Sequence, residues 1–148
     1  MVRIIMRGCN GKMGQVVSGL AADDQEVEIV AGVDLSDHIK NPYPVFRAIE
    51  ECDVEADVVV DFSSAAGSGA VGVEALLAYC GEKKLPLVLC TTGLSGEQLA
   101  YVQEISEKTA VFRSANMSLG INLLQKLLRE AAAVLATAGF DIEIVEKH

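Results

Sequence analysis

Val2-Arg3-Ile4-Ile5-Met6-Arg7-Gly8-Cys9-Asn10-Gly11-Lys12-Met13-Gly14 opens the chain, and the change of period inside it decides the fold. Val2–Met6 is an apolar, β-branched run that ends at Gly8, which predicts a strand. Met13, Val16, Val17 and Leu20 then recur at i, i+3, i+4 and i+7, which predicts a helix with those residues on its packed face. Three glycines lie between the two. In a strand–turn–helix of this kind one glycine makes the turn, a second lets a pyrophosphate approach the backbone, and a third lets helix and strand pack closely. The usual spacing is kept by Gly11 and Gly14. The first glycine, Gly8, sits one residue further back, so the turn is longer. The amides at the head of the helix then face an anion, which the helix dipole favours.

Outward from this unit the same alternation continues. Val27–Val33 reads as the second strand and Val58–Phe62 as a third, continuous enough in its apolar residues for a strand buried on both faces. Ala70, Val73, Leu77 and Cys80 share one helical face. Leu85–Cys90 is a fourth strand. Gly96–Lys108 is a helix with Ser95 as its N-cap, and Ala110–Phe112 is a short fifth strand. Between Leu35 and Val54 the two prolines, Pro42 and Pro44, predict a loop before a short helix over Val45–Glu51. The pattern predicts an α/β fold, a Rossmann-like doubly wound parallel sheet covered by helices.

The end of the chain differs. Leu124, Leu127, Leu128, Ala131, Leu135 and Ala138 form a long amphipathic helix pattern, broken at Gly139. Phe140, Ile142 and Ile144 then alternate with polar residues, as in a strand with one buried face. A lone strand needs a sheet to join. The expectation is therefore a dinucleotide-binding domain over 1–115, followed over 116–148 by the start of an incomplete α+β substrate domain.

Composition bounds the function. The 148 residues are 51% apolar and 22% charged, with a formal net charge of -9. That suits one globular domain, and the acidic field repels nucleic acid. Cys9, Cys52, Cys80 and Cys90 show no CxxC spacing, and only two histidines accompany them. They read as buried small hydrophobes in a reducing compartment rather than as a metal site or a disulfide framework. The N-terminus is too soon charged for a signal peptide, and no apolar run approaches a membrane span. The expected location is the cytoplasm.

Asp34 follows the second strand, twenty residues after Gly14. A carboxylate there accepts hydrogen bonds from the hydroxyls of an adenosine ribose. It repels a 2′-phosphate, and no Arg follows directly, so NADH is expected to be preferred over NADPH. Lys40 is the cation that could reach back and permit both. Taken alone, the glycines also describe a plain strand–helix turn, and Asp34 a solvated strand-end acid.

Three more polar clusters stand at strand ends, where ligands of open α/β sheets bind: Asp61-Phe62-Ser63-Ser64, Thr91-Thr92-Gly93 and Ser114-Ala115-Asn116-Met117-Ser118. Each alone also suits a helix cap. Together with the glycine turn GCNGKMG, the segments DFS, TTG, SANMSLGIN and the terminal DIEIVEKH make the whole chain resemble the first part of dihydrodipicolinate reductase.

That resemblance implies reduction of a cyclic unsaturated dicarboxylate by hydride from a nicotinamide, on the route to diaminopimelate and lysine. It implies that Gly8, Cys9, Asn10, Gly11, Lys12 and Met13 cradle the pyrophosphate and that Asp34 holds the ribose. Cys90, Thr91 and Thr92 line the nicotinamide side, with Cys90 standing where the family usually has Gly. Ser114, Ala115, Asn116 and Met117 contact the cofactor near a domain junction. His148 matches the first histidine of the family's HH-x-x-K motif, the proton donor; an imidazole near neutral pKa suits that task. The second His, the Lys and a substrate-binding Gly-Thr pair would lie beyond residue 148, so the chain alone is expected to bind dinucleotide weakly and to turn over little or not at all. The resemblance also implies a homotetramer for the intact protein. Another amino-acid-pathway dehydrogenase, acting on homoserine or an aspartate-derived aldehyde, and a dinucleotide-sensing module without chemistry are the alternatives.

Overall fold

The computed structural model describes residues 1–145. Six strands, β1 (Val2–Arg7), β2 (Val27–Val33), β3 (Val45–Phe46), β4 (Val58–Asp61), β5 (Leu87–Leu89) and β6 (Val111–Arg113), form one sheet in the order β3-β2-β1-β4-β5-β6. Every pairing is parallel. The chain builds outward from β1 to β3 and then returns to β4 on the other side of β1, so the strand order reverses between β1 and β4. In open α/β sheets ligands bind beyond the carboxyl ends of the strands at such a reversal. The chain divides into two compact units, Met1–Ala115 and a second that begins at Asn116.

Apolar side chains of the central strands form the core chiefly with one helix, to which Ile105 of the next helix and Ile49 add. Ile5, Val59, Leu87 and Leu89 are buried, and α2 (Val73–Lys83) packs on them with Val73, Leu76, Leu77 and Cys80, all at 0% exposure. Burying each leucine contributes about 2 kcal/mol. α3 (Gly96–Ser106) begins with a capping box. Ser95 Oγ accepts from the Gln98 amide, and Gln98 returns a bond to the Ser95 amide.

α1 (Lys12–Ala22) is held differently. Its one buried residue is Gly14, where a Cβ would lie 2.1 Å from the Gly8 carbonyl oxygen and 2.7 Å from Cys9 Cα. Of the expected face of Met13, Val16, Val17 and Leu20, only Val17 is half-buried and the other three are exposed. The inward stripe is Gly14, Val17, Ser18 and Ala21, with the same helical spacing but displaced by one residue. Close approach of helix to turn requires small residues, and that requirement outweighs the apolar periodicity.

Two further expectations are corrected. Val45–Phe46 is a strand, pairing with Gly32 and Val33 of β2, and only Ile49–Glu51 is helical, as one 3-10 turn. β-branched Val45 and aromatic Phe46 suit a sheet edge, and the free edge of β2 recruits them. In the second unit, α4 (Leu119–Leu135) forms as the periodicity predicts. Its leucines are exposed among the described residues. Phe140–Val145 takes no strand pairing, because no neighbouring strand is available among the described residues to complete its hydrogen bonds.

Candidate functional site

Gly8 adopts φ +76°, a conformation that disfavours any side chain. A Cβ there would also approach the Phe62 carbonyl carbon to 2.9 Å. The turn that follows is fixed by its own amides: Gly8 N–H donates to Val33 O at 2.8 Å and Gly11 N–H to Gly8 O at 3.1 Å. Gly11 brings no side-chain cap to α1, which leaves the first-turn amides of the helix without an N-cap side-chain acceptor among the described residues.

Asp34 lies directly against this turn. One carboxylate oxygen accepts the Asn10 amide at 2.9 Å and the other accepts the Ser36 amide at 2.9 Å. The Asn10 side chain bonds Ser36 O and accepts from Asn41 at 2.7 Å. Gln15 reaches Cys9 O at 2.8 Å and Asn41 at 3.1 Å. These amides tie the 34–44 loop to the glycine turn. Beneath them, a Cβ on Gly32 would come within 2.6 Å of Cys9 Sγ and 2.8 Å of the Tyr43 ring. Burial, with the nearby Asp34 charge, pushes the Cys9 thiol up to about 11, which leaves it protonated and unreactive at neutral pH.

A cleft of about 570 Å³ opens beside the turn. Gly8, Asn10, Asp34 and Arg47 line it, together with Phe62 and Ser63. Its floor includes Arg7, which is 4% exposed and pairs with fully buried Asp61 at 2.9 Å. Arg7 also bonds Ser63 Oγ and donates to Val71 O at 2.5 Å and Gly72 O at 3.1 Å. It thereby pins the 62–72 segment, which supplies part of the cleft lining, to the two central strands.

Thr91 is drawn into the same network. It is 1% exposed, and its hydroxyl bonds Asp61 and the Ser63 carbonyl. Cys90 is buried beside it, its thiol pushed up to about 11 by burial, and its amide bonds Asp61 O at 2.9 Å. Thr92 is exposed. Ser114 ends β6, its amide on Leu89 O at 3.2 Å. In the second unit, Asn116 Oδ1 accepts the Ser118 amide at 2.7 Å and Ser118 caps α4 through the Ile121 amide at 3.3 Å. His148 lies outside the described residues.

The glycine turn and Asp34 are thus brought together, whereas the Thr91 hydroxyl is engaged with its neighbours inside the protein. Sequence reasoning passed over Arg7 and Arg47. A charge closing the apolar run of β1, matched by Asp61 closing β4, was a readable signal for the buried pair. Arg47 is visible only once β3 is known.

Residues 2–117 match the family described as dihydrodipicolinate reductase, N-terminus. The chain is similar over its full length to the proteins named 4-hydroxy-tetrahydrodipicolinate reductase from Clostridium tetani, at 49% identity, and Caldanaerobacter subterraneus, at 50%. It covers 56% of each of them, so it spans about half the length of these curated relatives. Among solved structures, the dipicolinate-bound dihydrodipicolinate reductase from Paenisporosarcina sp. TG-14 is similar, with a TM-score of 0.76 and 26% identity over 90% of this chain and 54% of that one.

Proposed function

The chain belongs to the dihydrodipicolinate reductase family, and on that premise we propose that its first unit binds a nicotinamide dinucleotide for the reduction of 4-hydroxy-tetrahydrodipicolinate to tetrahydrodipicolinate. The observation that carries this reading is Asp34, whose carboxylate is fixed by two amides on the wall of the cleft beside the glycine turn. The residues present fit such a ligand. The space that side chains on Gly8 and Gly14 would fill is closed by backbone, and the head of α1 carries no side-chain cap.

In this proposal the amides of Lys12 and Met13 hold the pyrophosphate, with Gly8, Cys9, Asn10 and Gly11 shaping the turn. Asp34 accepts hydrogen bonds from the adenosine ribose, which favours NADH over NADPH. The bound nicotinamide supplies the hydride. Cys90, Thr91 and Thr92, with Ser114, Ala115, Asn116 and Met117, border its ring; Thr91 acts there through the backbone, since its hydroxyl bonds Asp61. His148 is the proposed proton donor to the reduced substrate. We place the reaction in diaminopimelate and lysine biosynthesis in the cytoplasm, carried out by a homotetramer of the intact protein.

Titration of NADH fluorescence with the 148-residue chain tests the binding step. Saturable binding is expected, weakened about tenfold by Asp34→Ala. Absence of binding defeats the proposal. Enhancement of the signal by pyridine-2,6-dicarboxylate is expected only from a chain that also carries a substrate site.

A further inference from the structure

Arg47 lines the same cleft as Asp34, and the function above gives it no part. Its position follows from the sheet. Val33 pairs with Phe46, and the Asp34 amide donates to Phe46 O at 3.0 Å. The next residue along β3 therefore arrives beside Asp34. Asp34 is fixed by the Asn10 and Ser36 amides. Among the described residues the Arg47 guanidinium is held by Asp37, at 3.9 Å, with side-chain exposures of 72% and 93%, while its backbone amide donates to Glu51 at 3.3 Å. An exposed, long ion pair of that kind is weak, so a stronger acceptor displaces it readily. Lys40, the cation suggested by the sequence, is exposed and does not line the cleft.

We propose that Arg47 is the specificity residue that admits a 2′-phosphorylated adenosine, so that the site takes NADPH as well as NADH. The inference rests on the dinucleotide reading above and deepens it. A ribose with a free 2′-hydroxyl donates to Asp34 and needs nothing from Arg47. A 2′-phosphate meets repulsion from Asp34, and only a neighbouring cation offsets it. The guanidinium is suited to this, because its planar, cationic fork matches two phosphate oxygens at once. Asp34 and Arg47 then set the NADH to NADPH ratio between them.

Dissociation constants for NADH and NADPH, measured by fluorescence with the wild-type chain, Arg47→Ala and Arg47→Lys, test this. Arg47→Ala is expected to weaken NADPH about tenfold or more while NADH changes by less than about twofold, and Arg47→Lys to recover part of the loss. Retained NADH affinity shows that the variant is folded. Equal loss for both cofactors, no loss for either, or a wild type that binds NADH but not NADPH overturns the role of Arg47 and leaves the proposed function standing. A wild type that binds neither removes the dinucleotide reading itself, and this inference with it.

Discussion

α1 and α2 are both eleven residues long and both pack on the sheet, yet they are held by opposite means. α2 buries six of its residues, and the segment leading into it is gripped by buried Arg7 through the Val71 and Gly72 carbonyls. α1 buries one, Gly14. α2 is fixed by what its side chains fill; α1 is fixed by a side chain that is missing, which lets its backbone touch the glycine turn. The second arrangement keeps the head of the helix close to the cleft, where side chains large enough to build a core would stand in the way.

The comparison breaks most severely at Gly14. Gly14→Ala puts a methyl 2.1 Å from a backbone oxygen that cannot move without opening the turn, so a loss of about 4 kcal/mol or more, or no folded protein, is expected in urea denaturation. Asp61→Asn comes next. It leaves the Arg7 charge buried without its counter-ion, at a cost of about 3–5 kcal/mol, and should loosen the 62–72 segment enough to weaken NADH binding in the same sample. Leu77→Ala on α2 is expected to cost about 3 kcal/mol through the cavity it leaves, by the same denaturation assay.

A pH experiment sharpens the contrast further, because α2 carries Cys80, whose thiol burial pushes up to about 12 from 9.0. The unfolded chain loses that proton near pH 9 while the folded chain keeps it. Stability is therefore whole below pH 9 and declines as pH rises toward 12. Cys80→Ala should flatten that decline by about 1 kcal/mol per pH unit above 9, read from denaturation at stepped pH. The smallest effect belongs to the outer face of α1. Leu20 is 68% exposed, so Leu20→Ser should change stability by less than about 0.5 kcal/mol; a loss like that of Leu77→Ala would show that the face is covered in solution.

The two helices also mark how far the sequence could be read. Local signals survived folding where no competing contact existed: the β-branched run of β1, the Ser95 cap, the buried Val73, Leu77 and Cys80 of α2 and the span of α4 follow from spacing and residue type, whereas Ala70, expected on the same helical face, lies in the 3-10 turn Gly69–Val71 and is exposed. The buried face of α1 did not, because an apolar stripe was present but a row of small residues beside it allowed closer packing. Val45–Phe46 was misread as helix because a two-residue strand has too little pattern of its own and exists only by pairing with β2. That Asp34 would stand against the glycine turn was legible from its distance to the glycines. Its neighbour Arg47 was not, since their adjacency arises across a sheet and not along the chain. Thr91 was read correctly as a strand-end residue, but that its hydroxyl would turn inward to Asp61 depended on a partner thirty residues away.

The crowding of Cys9, Gly32 and Tyr43 has a consequence for how this molecule tolerates inherited change. Positions 9 and 32 share a volume too small for two side chains, so the order in which substitutions arise matters. A methyl at 32 collides with the sulfur as long as Cys9 stands. If residue 9 shrinks first to alanine, the sulfur contact is gone and the same methyl faces the Tyr43 ring at 2.8 Å and the Cβ of residue 9 at 3.2 Å. Contraction beneath the turn thus eases expansion on β2 when it comes first, and the hydrogen bond between Tyr43 and Ser18 is what the second change must still disturb.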